Sequence, residues 1–450
     1  MIEASVWNDT PRAQYAACPQ GTVHADVAIV GGGLTGLSTA YHLLSRYPAL
    51  RVIVLEAGNV GSGASSRNTG MLGPGVGQDL LGLIRRLGNV GAEALYRETL
   101  RAVTLVSDLV ATEHIDCELS MTGQIYWARS AAGRHRLAAQ AKWLNARGLT
   151  AELLNDNSLN RHIRLPGAAG KGTGQPAALR LPVAGILHPG KLVAGLARAA
   201  NDRGACIFEC SPVSALTTGA EGGKVRLSLT GGGEVLADQV VLATAGYTAR
   251  LGPLRRRVIP LQLQALATEP IPPNLLTNIG WTGREGIVEA RRIFNYFRLS
   301  SDNRLIFGGG APRPCHVRGA IDENIPASTL INLQQSLFST FPDLAREGIR
   351  ISHGWSGTIG YVLDGLPAIG RSSKTPNMLH AVGWSGHGLA LGIAAGNWIT
   401  DMLAGNDVIS AREGGLAWFR DEPPQLPCEP LHGLAVRTAV GAMKLLDCVS

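Results

Sequence analysis

Residues 26–56 predict an α/β fold of Rossmann type, and three observations carry the prediction. Asp26-Val27-Ala28-Ile29-Val30 reads as a buried strand that runs straight into Gly31-Gly32-Gly33. Leu34 to Arg46 places apolar residues at helical spacing, and Val52 to Leu55 is a second short apolar strand ending on Glu56. Strand, helix and strand within about thirty residues form one βαβ unit.

Beyond this unit the pattern changes several times. Region 78–155 is largely helical, with a strand at Gly123–Ala128. A second α/β run starts at His188-Pro189, with helix Leu192–Arg203 and strands Ala205–Glu209, Lys224–Leu229 and Gln239–Ala243. In 255–345, Ile293–Ser300 and Arg304–Phe307 alternate as strands of a mainly antiparallel sheet do. A helix follows from about residue 388 to 404. The expected organisation is a Rossmann-type domain (26–90, 185–250 and 350–410) interwoven with an α+β domain (91–184 and 251–349). Residues 1–25 form an N-terminal extension and 411–450 a C-terminal tail. Within the tail, Leu431–Val449 reads as a helix with Arg437 and Lys444 on its polar side. It docks on its own protein or touches an anionic membrane surface.

A chain of 450 residues with 45% hydrophobic content can build two cores. Its seven cysteines are scattered and odd in number, with no CxxC pair, which argues against a disulfide framework and against a bound metal. Reduced thiols and the lack of a signal-peptide pattern point to a cytoplasmic protein. The net charge is +7, yet clusters such as Arg85-Arg86 and Arg255-Arg256-Arg257 carry no interleaved aromatics. They read as solvated basic surface, so no nucleic-acid partner is expected. Oligomeric state is not legible.

Gly31-Gly32-Gly33-Leu34-Thr35-Gly36 matches GxGxxG directly after a strand and before a helix. Gly31 permits the turn, Gly33 admits a pyrophosphate, and Gly36 lets helix and strand pack closely. The N–H groups opening the helix at Leu34 and Thr35 face the phosphates. Glu56, twenty residues after Gly36, can accept both hydroxyls of an adenosine ribose and disfavours a 2′-phosphate.

The next segment is more specific. Ala57-Gly58-Asn59-Val60-Gly61-Ser62-Gly63-Ala64-Ser65-Ser66-Arg67-Asn68-Thr69-Gly70-Met71-Leu72 resembles the second flavin-contacting loop of the D-amino-acid oxidase superfamily, which includes the glycine and sarcosine oxidases. Leu187-His188-Pro189, Pro212-Val213, Val240-Val241-Leu242-Ala243-Thr244-Ala245-Gly246 and Gly383-Trp384-Ser385-Gly386-His387-Gly388 agree with it in order. Within the superfamily, Ser5-Val6-Trp7 and Phe294 to Ser300 look most like the γ-glutamylputrescine oxidases.

The resemblance implies a glutathione-reductase-like FAD-binding domain and a substrate domain. It implies FAD contacts from the loop at Ala57, Ser65, Ser66, Arg67, Asn68, Thr69, Gly70, Met71 and Leu72. Val213 holds the adenine by its backbone, and Ala243, Thr244 and Gly246 lie beside the cofactor. The turn Gly383, Ser385, Gly386, His387 and Gly388 opens a helix toward the flavin pyrimidine ring, where His387 either adds a donor or merely caps the helix. The implied reaction is oxidation of the C–N bond of a small-molecule amine, with hydride passing to the flavin and the imine then hydrolysed. Dioxygen and another acceptor stay open, as does a non-catalytic FAD-binding role.

Tyr296 and Arg298 are the substrate-side candidates, on one strand face with Phe297 opposite. Arg298 either pairs with a substrate carboxylate or lies on the strand's surface. Trp355 reads as packing. Family members that bind FAD covalently use a Cys or His in regions that here read Trp355-Ser356-Gly357 and Ser66-Arg67-Asn68, so noncovalent FAD is expected. The lysine that sarcosine oxidases place over the flavin is absent from Leu305-Ile306-Phe307.

Overall fold

The apolar stretches fold as strands and helices of one continuous α/β chain. The computed structural model describes residues 4–11, 13–166, 176–220, 223–251, 254–315, 325–406, 416–426 and Thr438. Along the chain run β1 (Thr22–Val30), α1 (Leu34–Arg46), β2 (Val52–Leu55), β3 (Met71–Leu72), α2 (Leu80–Thr112), β4 (Gln124–Trp127), α3 (Ala131–Asn145), β5 (Glu152–Leu154) and α4 (Asp156–Leu159). They continue as β6 (Ala178–Leu181), β7 (Gly185–Ile186), α5 (Pro189–Asp202), β8 (Cys206–Phe208), β9 (Val213–Ala220), β10 (Lys224–Leu229) and β11 (Glu234–Leu242). Then come β12 (Ile259–Thr268), α6 (Pro273–Ile279), β13 (Gly286–Glu289), β14 (Asn295–Leu299) and β15 (Leu305–Pro314). The last are α7 (Ala327–Thr340), α8 (Pro342–Arg346), β16 (Ile351–Tyr361), β17 (Ala368–Arg371), β18 (Met378–Val382) and α9 (Gly388–Leu403). The expected helix Leu431–Val449 falls, apart from Thr438, outside the described residues.

The first sheet runs β17-β18-β11-β1-β2-β8, with β10 and β9 added beside β11. Its centre is parallel: β1 pairs with both β2 and β11, and β11 with β18. Central strands of this kind are covered on both faces. Val27, Ile29, Val52 and Val54 pack with Leu37, Leu44 and Ile393 of the helices. Ala28, Val30, Ile53 and Leu55 pack with Val225 and Leu227 of β10 on the other face. Helix α9 is apolar nearly all round and crosses α1 closely, with the Ser38 hydroxyl donating to the Ile393 carbonyl at 2.6 Å.

The second sheet runs β16-β12-β15-β14-β13-β4-β6-β5. It is antiparallel except where β13 meets β4. Its back face, with Ile125, Trp127, Phe297 and Phe307, packs on Leu275, Leu333, Leu337 and Leu344 of α6, α7 and α8. Its front face carries Tyr126, Tyr296 and Arg298, and Arg298 reaches the loop 57–72 at the Thr69 carbonyl.

Two expected boundaries move. Residues 351–361 belong to the second sheet, because β16 pairs with β12 along its length, so the return to the first sheet comes after Tyr361. The long helix α2, which bends at Gly88, packs Ala92, Leu95, Ala102, Val103 and Val106 into the core of the first sheet rather than the second domain.

Candidate functional site

Four parallel strands of the first sheet end at one place, the carboxyl edge where such sheets bind ligands. Gly31 follows β1, Glu56 follows β2, Ala243 and Thr244 follow β11, and Gly383 follows β18. At Gly31 the chain turns with φ +114°, and a Cβ there would lie 2.6 Å from the Ala243 carbonyl oxygen. A Cβ on Gly36 would come within 1.9 Å of the Gly31 carbonyl, so no larger residue fits where α1 meets β1.

Helix α1 opens at Gly33 without a side-chain cap, and the Leu34 N–H donates to Ser65 Oγ at 3.0 Å. Glu56 is drawn in beside it. Its Oε2 accepts from the Gly32 N–H at 2.8 Å and its Oε1 from the Gly58 N–H at 2.9 Å. Burial pushes the Glu56 carboxyl above its ordinary range, and those two N–H groups pull the other way. Val213 opens β9 close by, where the Ser211 N–H reaches the Glu56 carbonyl at 2.8 Å.

The loop from Ala57 to Leu72 is fixed through its carbonyls. Trp355 Nε1 donates to Arg67 O at 2.8 Å, and Trp7 Nε1 donates to Asn68 O at 2.8 Å. Arg298 Nε donates to Thr69 O, and the Leu187 N–H to Gly70 O at 2.8 Å. Four consecutive carbonyls are thus bound by four distant parts of the chain. Inside the loop Asn68 closes a turn: its amide donates to Ser65 O at 2.7 Å and its Oδ1 accepts from the Gly70 N–H at 2.9 Å. Ser66 donates to Gly61 O, Ala57 is exposed, and Met71-Leu72 pair with β7 as a short ladder.

The turn 383–388 is strained. Ser385 takes φ +49° and Gly386 φ +95°. The Ser385 hydroxyl accepts from the Val362 N–H at 3.3 Å and donates to the Gly383 carbonyl at 3.2 Å. His387 sits at the N-terminus of α9 with no side-chain cap, and its Nδ1 is buried without a partner in the protein. Burial holds its ring down to about 4, so it is neutral at physiological pH. The simple reading of His387 as a capping side chain is thereby corrected.

Arg298 also departs from its expected roles. It is 2% exposed, so it is no surface residue. Its guanidinium donates to the carbonyls of Thr69, Leu187 (2.7 Å) and Leu299 (3.0 Å) and lies 5.0 Å from the Trp7 ring. The expected clamp on a substrate carboxylate is replaced by a clamp on the loop, because the main chain at 69–70 and 187 arrives first. Tyr296 shares its face as expected, while Phe297 stacks on Phe307 in the back core.

Cross-strand register sets Tyr126, Val288, Tyr296 and Gly308 in one row. Burial pushes the hydroxyls of both Tyr126 and Tyr296 up to about 12. Tyr126 escaped sequence reasoning, and Trp7 stood out only within Ser5-Val6-Trp7, with no role in the site. The signal for Tyr126 was the alternation in Gln124-Ile125-Tyr126-Trp127.

A helix α1 without a side-chain cap of its own above a glycine turn, a carboxylate beside it, and a buried imidazole with an unpartnered Nδ1 at the start of α9 fit the phosphates, ribose and ring of FAD. Among the described residues no group of side chains suits a metal ion, and no helix is long and apolar enough to cross a membrane.

Known proteins share this chain's sequence pattern and fold. The γ-glutamylputrescine oxidoreductase of Escherichia coli is 30% identical over 390 residues, 86% of this chain and 85% of that protein. A probable oxidoreductase of Haemophilus influenzae is 28% identical, covering 85% of this chain and 84% of its own length. The crystal structure of glycine oxidase from Geobacillus kaustophilus superposes with a TM-score of 0.71 at 26% identity, over 85% of this chain and 95% of that one. Residues 26–402 match the family described as FAD dependent oxidoreductase, and the chain belongs to that family.

Proposed function

We propose that this protein oxidises the C–N bond of a small amine or amino acid to an imine, with noncovalent FAD as its cofactor and dioxygen as the acceptor. The carrying observation is the meeting of the four strand ends with the loop at 57–72, which Arg298 of the Tyr296 strand holds at Thr69, while His387 at the start of α9 lies beside Gly75. Two relatives named for amine and amino-acid substrates, the E. coli oxidoreductase and glycine oxidase, support the substrate class.

FAD, when bound, accepts the two electrons of the broken C–H bond. The chain's own residues orient and shield. The N–H groups opening α1 would hold the pyrophosphate, and Glu56 would hold the ribose. The N–H groups opening α9 would face the ring, where negative charge would collect. His387, neutral, adds no charge of its own. Tyr126 and Tyr296 form an aromatic wall that keeps water from the reacting carbon, and Val288 is its floor. The amine must be deprotonated before it is oxidised, so turnover rises with pH toward the pKa of the bound amine. Free thiols at Cys18, Cys117, Cys206, Cys210 and Cys315 suit a cytoplasmic setting.

The deciding experiment mixes the yellow holoprotein anaerobically with a panel of amines and amino acids. Bleaching by at least one, with colour returning in air, supports the reading. Bleaching that air does not reverse points to another acceptor. A flavin that no amine bleaches points to a non-catalytic FAD-binding role. Acid precipitation that leaves colour in the pellet would contradict noncovalent binding.

A further inference from the structure

Arg298 carries a charge into the interior with no carboxylate in contact. All three of its hydrogen bonds end on neutral carbonyls, those of Thr69, Leu187 and Leu299. Among the described residues, the ring it lies over, that of Trp7, is neutral as well. No ion pair reaches it among the described residues. Glu118 and Asp302 act on it only through space, and Arg284 opposes them. Both carboxylates are already matched, Glu118 by Lys191 at 2.9 Å and Asp302 by Arg304 at 2.7 Å. Burial lowers the guanidinium to about 10, which still leaves it charged at neutral pH.

A buried cation without a counter-ion is costly, and it favours an anion that comes within reach. The loop that Arg298 grips is the one read as flavin-facing, and Arg298 Nη2 stands 2.7 Å from the position a Cβ on Gly70 would take. A flavin that takes up two electrons and one proton carries one net negative charge. We propose that Arg298 is a positioning residue for the loop 67–70 and also a fixed positive charge whose counter-ion is the reduced flavin, so that it raises the reduction potential of the bound cofactor. The proposal rests on the reading of 57–72 as the flavin loop.

Charge and hydrogen bonding separate in two variants. Arg298→Lys keeps the charge and loses the fork; Arg298→Met keeps bulk and loses both. Measured by dye equilibration on the holoproteins, Arg298→Met should shift the reduced-to-oxidised equilibrium at least tenfold, about 30 mV more negative for a two-electron couple. Arg298→Lys should stay near the parent. An unchanged potential in Arg298→Met, or an equal fall in both variants, would overturn the proposal. So would weaker FAD binding with no change in potential, which would assign the charge to the pyrophosphate instead.

If Arg298→Met does not retain FAD, Glu118→Gln decides the matter. It removes a carboxylate that acts on Arg298 and touches none of the bonds to the loop. The potential should rise; a constant or lower value overturns the proposal. Ser65→Ala tests the loop reading on its own through FAD affinity. Parent-like affinity there would dismiss the loop reading and this proposal with it, whereas weakened binding leaves the potentials to judge Arg298 alone.

Discussion

The indole Nε1 of Trp7 donates to the carbonyl of Asn68 at 2.8 Å, joining a segment ahead of the first strand to the loop read as flavin-facing. Trp7 is 3% exposed and packs edge-on against His188 and Trp355. Trp7→Phe keeps most of that packing and leaves the Asn68 carbonyl unpaired, at about 1–3 kcal/mol. Both the melting temperature and the FAD affinity of the purified variant should fall. A melt and a fluorescence titration identical to the parent's would show that the loop keeps its shape without the indole.

Glu56→Ala should weaken FAD binding more strongly. The carboxylate is placed for charge-assisted hydrogen bonds worth about 1.5–3 kcal/mol each, and its loss also strips acceptors from the Gly32 and Gly58 N–H groups. Glu56→Gln, which keeps one acceptor oxygen, should fall between the two. The check is the FAD dissociation constant, and equal constants for all three proteins would place the ribose elsewhere.

Gly70→Ala should be far more damaging than a glycine substitution in open space. Gly70 has φ +73°, and a Cβ would lie 2.0 Å from the Leu187 carbonyl oxygen. At Gly204, φ is +99° with nothing within 4 Å, so Ala there costs only the backbone strain, about 1–2 kcal/mol. Gly204→Ala should purify yellow with a slightly lower melting temperature. Gly70→Ala should purify colourless or not at all, and a yellow, stable Gly70→Ala would show that the loop can move away from Leu187.

Acid should destabilise the fold through its histidines. Burial lowers His42, His380 and His387 from 6.5 to about 4. All three prefer to be neutral when folded and take up protons on unfolding once the pH drops below 6.5. Their stabilisation is therefore complete above 6.5 and is lost as the pH falls toward 4, by up to about 1.4 kcal/mol per pH unit per group. Denaturant midpoints measured between pH 7 and pH 4.5 should decline, and His380→Gln should flatten the slope. A flat profile in the parent would mean these rings reach water.

The first strand, glycine turn, helix and second strand were legible because their rules are local. Residues 26–56 show strand, turn, helix and strand in the order they fold, and α1 spans Leu34–Arg46 as read. The face shared by Tyr296 and Arg298 was legible too, since side chains alternate along any strand. What Arg298 touches was not. Thr69 lies 229 residues away in sequence, and nothing near Arg298 announces it. Strand β16 was misplaced for a similar reason: Ile351–Tyr361 is apolar enough for either sheet, and only its pairing with β12 decides. Trp355 read as packing, yet its indole also donates to the loop at Arg67.

The four carbonyls at 67–70 draw their donors from Trp355, Trp7, Arg298 and Leu187. During synthesis the loop emerges early, whereas the last of its donors is made almost three hundred residues later. The N-terminal half therefore leaves the ribosome with two of the four donors, Trp7 and Leu187, and without Arg298 and Trp355. On the proposed reading of this loop, a truncated chain lacking Trp355 should lose affinity for FAD.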